Sequence, residues 1–293
     1  MAADRAVESA LQIQETPRLS GGRMVLAFSG WMDGGNVSTG TVEWLVRTLE
    51  AREVARIDPE PFYIYNFPGT MEMSALFRPY TKIDEGIVAE FTPPENTFWA
   101  SEEHGLLLFR GKEPNFAWRR FADCLFELAT RAGVTSLFFV GSVGGLVPHT
   151  REPRLRSTVS DARLKAELER LGAKLTDYEG PASFSTLLLA EAPQRGLEMT
   201  TLVAEIPAYI QSTNPKSIEA VTRKLAALLG VQVPLKDLRQ LTAEWEERLN
   251  KLLRKKIDLS KHIHKLEADY DNEVFEQMDD LKQWLEQQGL QVD

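Results

Sequence analysis

Glycine and proline divide this chain in two. All 15 prolines lie at or before Pro234, and of the 19 glycines only Gly289 lies beyond it. Both residues interrupt regular structure, so the 59 residues from Leu235 to Asp293 are left free to run as helix. Ten basic and fourteen acidic residues fall there. Apolar residues recur at three- and four-residue steps, as Leu238, Leu241, Trp245, Leu249 and Leu252, then Leu259, Ile263, Leu266, Tyr270, Val274, Met278, Leu281 and Leu285. That spacing puts one apolar stripe on a charged helix. Lys255-Lys256 suits a helix C-terminus and Ser260 a new N-cap, which predicts a two-helix hairpin broken near Asp258–Ser260. The expected organisation is an α/β domain over 1–234 and a helical arm over 235–293. The arm's stripe either covers its own subunit or meets a protein client.

Before Pro234, short apolar runs end in glycine and lead into helical patterns. Met24–Ser29, Pro61–Tyr65, Gly86–Phe91, Leu106–Phe109, Ser136–Val140 and Thr200–Ile206 read as strands. Asn36–Glu50, Phe116–Ala132, Ser160–Leu171, Ser183–Ala192 and Lys216–Leu229 read as helices, the last entered through Asn214-Pro215 and stopped by Gly230. Such alternation predicts a largely parallel sheet with helices on both faces, and an antiparallel part within the less regular Thr92–Lys112.

Several functions are excluded or disfavoured. No apolar run reaches the ~18 residues of a membrane span. One cysteine, Cys124, rules out an internal disulfide and a cysteine-based zinc cluster. A net charge of −9 disfavours nucleic-acid binding by bulk charge. The first dozen residues carry Asp4 and Glu8 and no apolar segment, so a cytoplasmic location is expected. His262 and His264 diverge on a helix, and neither a metal nor a cofactor is expected.

Ligands of layered α/β folds sit where strand tips meet helix N-termini. Three turns fit that place. Gly30-Trp31-Met32-Asp33-Gly34-Gly35-Asn36 follows the first strand, but lacks the spacing of a dinucleotide or phosphate loop. Asp33 either caps the following helix or meets a ligand. Gly141-Ser142-Val143-Gly144-Gly145 resembles a nucleophile elbow with the wrong spacing, and His149 is a possible base for Ser142 without an identifiable third member. The third group joins Tyr178-Glu179-Gly180 to Glu205 and Tyr209. Asp33, Glu179 and Glu205 would be the acid–base candidates if they converge, and hydrogen-bond acceptors at helix ends if they do not.

Ordered motifs along the chain resemble the proteasome assembly chaperone 2 family in its bacterial branch. They are Gly30–Gly35, Arg78-Pro79, Gly111-Lys112-Glu113-Pro114-Asn115 with Trp118 and Phe121, Pro148-His149-Thr150-Arg151, Gly180-Pro181-Ala182, Pro207-Ala208-Tyr209 and Leu266-Glu267-Ala268-Asp269-Tyr270-Asp271. The resemblance implies a three-layer α/β/α sandwich resembling purine nucleoside phosphorylase, and a homo-oligomer, with a trimer favoured. Eukaryotic relatives dock through a C-terminal hydrophobic-Tyr-x tail, whereas this chain ends Gln291-Val292-Asp293. Bacterial relatives are often labelled ATP-grasp carboxylate–amine ligases, yet the glycine-rich nucleotide hairpin and Mg-binding Glu/Asn pair of such enzymes are missing here. The expected function is a non-catalytic, oligomeric assembly scaffold. The alternative is an enzyme acting on a nucleoside, phosphate or carboxylate ligand.

Overall fold

The computed structural model describes residues 10–253 and 260–273. A nine-stranded sheet forms its centre. The four middle strands, β7 (Leu106–Lys112), β2 (Gly22–Ser29), β8 (Val134–Gly145) and β11 (Glu198–Pro207), run parallel in that order. On one side β6 (Thr97–Ser101), β3 (Arg52–Ile57) and β1 (Leu11–Ile13) continue it antiparallel. On the other, β9 (Arg154–Ser157) pairs antiparallel with β11 and parallel with β10 (Ala173–Leu175). The expected largely parallel sheet is therefore mixed, with half of its strand pairings antiparallel. The β6–β7 connection spans only 102–105, too short for the crossover that parallel pairing requires.

Alternation along β2 shows how the two faces are filled. Met24, Leu26 and Phe28 join a core covered by α3 (Trp118–Ala132) and α5 (Phe184–Glu191). Val25 and Ala27 point to the opposite core, under α1 (Val37–Thr48) and α6 (Pro215–Leu229). Side chains in a strand alternate faces, and each fully buried apolar one is worth about 1.5–3 kcal/mol. Phe121 of α3 meets Phe62, Phe28 and Phe184 at centroid distances of 4.9, 6.3 and 5.5 Å, which fixes the N-terminus of α5 beside the tip of β2. A short α4 (Lys165–Arg170) leads into β10.

Pro61–Tyr65 is a turn rather than a strand. Phe62 and Tyr63 are buried as plugs beneath α3, and the Phe62 carbonyl accepts from the Asn115 and Phe116 amides. Their aromatic character mimics strand propensity. The strand lies earlier, at β3, hidden by the exposed charges of Arg52 and Arg56. The helix expected over Ser160–Leu171 shrinks to α4 and one preceding turn. Ser160 is held at the sheet edge, its Oγ accepting from the Met199 amide at 2.8 Å.

The arm is helical wherever it is described: α7 (Lys236–Leu253) and α8 (residues 260–273). Leu238 enters the second core, and Trp44 Nε1 donates to the Pro234 carbonyl at 3.1 Å. The expected break at Asp258–Leu259 and the stripe from Val274 to Leu285 lie outside the described residues. No described helix is long and apolar enough to cross a membrane.

Away from the sheet, α2 (Met71–Ala75) and the hairpin of β4 (Tyr80–Asp84) and β5 (Ile87–Thr92) form a separate flap. Every residue of β4 is exposed, as is all of β5 but its last.

Candidate functional site

The turn after β2 is shaped by its glycines and by two carboxylates. Gly30 has φ 137°, and a Cβ there would lie 3.2 Å from Glu113 Cβ, so only glycine serves. Glu113 follows β7. Its Oε1 accepts from the Phe184 amide at 2.9 Å and its Oε2 from the Trp31 amide at 3.4 Å. One carboxylate thus occupies the N-terminus of α5 and anchors the turn. Asp33 does the same for α1: Oδ1 accepts from the Thr39 amide at 3.1 Å and Oδ2 from Thr39 Oγ1 at 2.8 Å. Burial outweighs these bonds and pushes the Asp33 carboxyl up to about 6. At the N-termini of both α1 and α5 the chain supplies its own carboxylate.

Gly34, Gly35 and Asn36 complete the turn. Gly35 has φ 62°, its carbonyl accepts from the Asn214 amide at 2.8 Å, and Asn36 Nδ2 donates to Thr213 Oγ1 at 2.9 Å. The second glycine segment is not a turn at all. Gly141–Gly145 continues β8, paired with β11 up to Pro207 opposite Gly145. Ser142 is buried, its amide donating to the Met32 carbonyl at 2.8 Å and its Oγ to the Gly34 carbonyl at 2.6 Å. That hydroxyl ties the Gly30–Asn36 turn to β8. His149 has a separate set of partners.

The Gly30–Asn36 turn stands between two cavities. Asp33 and Asn36 line one of about 780 Å³, with Thr39, Arg110 and Lys112. Burial holds the Lys112 ammonium below its ordinary pKa. Trp31 and Met32 line the other, of about 600 Å³, with Tyr178, Arg156 and Glu205. Glu205 Oε1 accepts from Arg156 Nε at 2.7 Å. Glu179 and Gly180 are exposed and line neither cavity. The three acid–base candidates therefore stay apart. Among the described residues no group of three or more His, Cys, Asp or Glu is placed to hold a metal ion.

His149 belongs to a third place, a seam between the sheet's end and the arm. Its Nδ1 lies 2.8 Å from the Tyr209 hydroxyl, and its Nε2 3.1 Å from Asn250 Oδ1 on α7. Burial pulls the imidazole below its usual pKa and raises that of Tyr209. The next residues continue the grip. Thr150 Oγ1 donates to Glu267 Oε1 at 2.5 Å, and Arg151 pairs with both oxygens of Asp271 at 2.8 and 2.7 Å. Arg154 and Lys174 share Glu273, and Arg154 lies 4.6 Å over the Tyr270 ring. Lys216 Nζ reaches the His149 carbonyl at 2.9 Å and Glu246 at 2.6 Å. Bidentate guanidinium–carboxylate pairing gives such a seam a fixed geometry.

Two of the motifs set out above are therefore partners: Pro148–Arg151 holds Leu266–Asp271. Sequence reasoning singled out His149 and Tyr209 here but missed Thr150 and Arg151, and at the strand tip it missed Glu113. Gly-x-Glu-Pro and Pro-His-Thr-Arg were visible as motifs; the residues they would meet, 71 to 120 positions away, were not.

The model of the PAC2 family matches residues 27–253. Among solved structures, a Mycobacterium tuberculosis protein of unknown function superposes with a TM-score of 0.81 at 23% identity, covering 93% of this chain and 92% of that one. A PAC2 family protein from Streptomyces avermitilis gives 0.69 at 27% identity, covering 82% and 98%. A proteasome-assembly chaperone homologue from Mycobacterium tuberculosis gives 0.71 at 26% identity, covering 82% and 99%. No curated protein matches the sequence.

Proposed function

This chain belongs to the PAC2 family, and from that premise we propose that it is a chaperone-like assembly scaffold, homo-oligomeric with a trimer favoured, that works without catalysis. In this reading residues 1–234 form the oligomer's core on a phosphorylase-like sandwich, used as architecture only, because function belongs to sites rather than folds. Residues 235–293 form the arm presented to a protein client. The observation that carries it is the seam: the Pro-His-Thr-Arg turn is engaged in holding the arm through Thr150–Glu267 and Arg151–Asp271. The carboxylates of Asp33 and Glu113 at the helix N-termini favour the same reading, since a phosphate would have to displace them. So does the likeness to a solved proteasome-assembly chaperone homologue. The test compares partners co-purified with the wild-type chain and with an Arg151→Glu, Arg154→Glu variant. A partner kept by the first and lost by the second is expected; identical partner sets would remove the arm's role.

A second reading rests on the cavity of about 780 Å³ containing Asp33, whose carboxyl titrates near 6, and Lys112. An enzyme taking a phosphate, nucleoside or carboxylate ligand would use Asp33 to exchange a proton. A thermal-shift screen with those ligands decides it: a rise in melting temperature that Asp33→Asn abolishes favours this reading.

A further inference from the structure

Exposed apolar side chains are concentrated in the flap of α2 and the β4–β5 hairpin. Tyr80, Ile83, Ile87, Val88 and Phe91 of the hairpin are 60–72% exposed. Met71 and Leu76, which precede it in the chain, are 84% and 76% exposed. In register, Ile83, Val88 and Phe91 share one face of the hairpin and Tyr80 and Ile87 the other, so a cover must take in both faces. Over both faces and the preceding helix, the seven offer on the order of 1,000 Å² of apolar surface at ordinary side-chain sizes, against the roughly 800 Å² that each partner brings to a standard interface. The hairpin's strands pair only with each other, so both outer edges carry unpaired backbone groups. An isolated two-stranded hairpin is at best marginally stable in water, and a register break between Lys82 and Ile83 weakens this one. It therefore needs a cover that is present from folding onward.

We propose that the flap is the self-association surface of this protein, covered by a second copy of the same chain. The inference rests on the oligomeric scaffold read above and says where its copies meet. A transient client does not fit, because it would leave the hairpin bare between encounters. An anionic lipid surface does not fit either: from Tyr80 to Thr92 the hairpin carries Asp84, Glu85 and Glu90 against the single cation Lys82. A second copy is present at equal concentration whenever the chain is made, and folding coupled to association is the usual state of obligate oligomers.

The test uses the full chain at tens of micromolar. Light scattering on a sizing column is expected to give a multiple of the chain mass for the wild type. An Ile87→Asp, Phe91→Asp variant, with helical and strand signals retained by circular dichroism, is expected to give one chain mass. A wild type of one chain mass overturns both the oligomeric scaffold and the flap. A multiple retained by the variant overturns only the flap. A second measurement covers a variant that misfolds. Cys124 is buried and its thiol is pushed up to about 12, so in an Ile87→Cys chain a bulky thiol reagent reads the flap alone. Labelling slowed on the order of tenfold at high concentration, and recovering on dilution, is expected from mass action. A rate independent of concentration overturns the proposal, and leaves the flap to another protein or to solvent.

Discussion

The seam and the flap are two ways of finishing a surface. At the seam, polar side chains from the end of the sheet meet carboxylates on the arm through charged hydrogen bonds, beside the neutral His149–Asn250 contact and the buried Ile263. In the flap, apolar side chains of similar number face outward and make almost no contact with the body. A polar seam closes and opens at small net cost, because water replaces each lost partner. An apolar face has no such exchange, and its exposure is offset only by a lasting partner. In the proposed assembly, that difference makes the arm the movable part and the flap the permanent one.

The sharpest way to break that comparison is the flap variant described above, for which loss of assembly is the expected result. Next comes Glu113, whose carboxylate serves two backbone amides at the strand tip. Glu113→Ala should lower stability by about 2 kcal/mol, read from the denaturation midpoint, because bonds to a charged acceptor are worth roughly 1.5–3 kcal/mol. Glu113→Gln, which keeps one acceptor oxygen, should lose less. If Glu113→Ala is neutral, the strand tip is not built on that carboxylate.

At the seam the effects are smaller and depend on salt. Arg151→Ala should speed proteolysis within 260–273 and leave the melting of the sheet nearly unchanged. The wild type at ~1 M salt, where the Debye length is about 3 Å, should approach the variant's cleavage rate. The swap Arg151→Asp with Asp271→Arg should recover the slower rate at low salt. Salt-independent cleavage would mean that apolar contacts such as Ile263 hold the arm instead.

Acid should loosen the same seam. The His149 imidazole titrates below its ordinary value because burial disfavours its charged form. Its contribution is therefore complete above about 6.5 and is lost as pH falls through the lower folded value. Lys216, Glu246 and Glu267 face it together with Tyr209 and Asn250. Hydrogen exchange of α8 should quicken below that pH, and His149→Gln should flatten the dependence.

Asp33 has the opposite sign and the smallest expected effect. Its carboxyl is raised from 3.8 to about 6, so its contribution is present below 3.8 and is lost as pH rises through 6. At pH 7 Asp33→Asn should raise stability by about 1 kcal/mol, after allowance for its partial exposure and the weakened Thr39 bonds. The gain should vanish below pH 4. A loss of stability at pH 7 would show that the Thr39 bonds outweigh desolvation.

Much of this was legible beforehand where the signal is local. The helix expected to enter through Asn214-Pro215 is α6, with Asn214 accepting an amide three residues on and Gly230 ending it with φ 61°. The family resemblance is matched by the family model over residues 27–253. Illegible features depended on distant partners. Phe62 and Tyr63 look like strand residues until α3 is placed over them. The glycines at 141–145 look like a turn until β11 runs alongside and keeps the strand extended.

The sequence by itself therefore determined most of the helices and the central strands β2, β7, β8 and β11, because capping, periodicity and backbone freedom act within a few residues. Tertiary structure alone decided the order of the strands, the separation of Asp33, Glu179 and Glu205, and the pairing of Arg151 with Asp271. Those outcomes are set by which surfaces pack together in space, and hydrogen bonds between residues 120 positions apart leave no pattern along the chain.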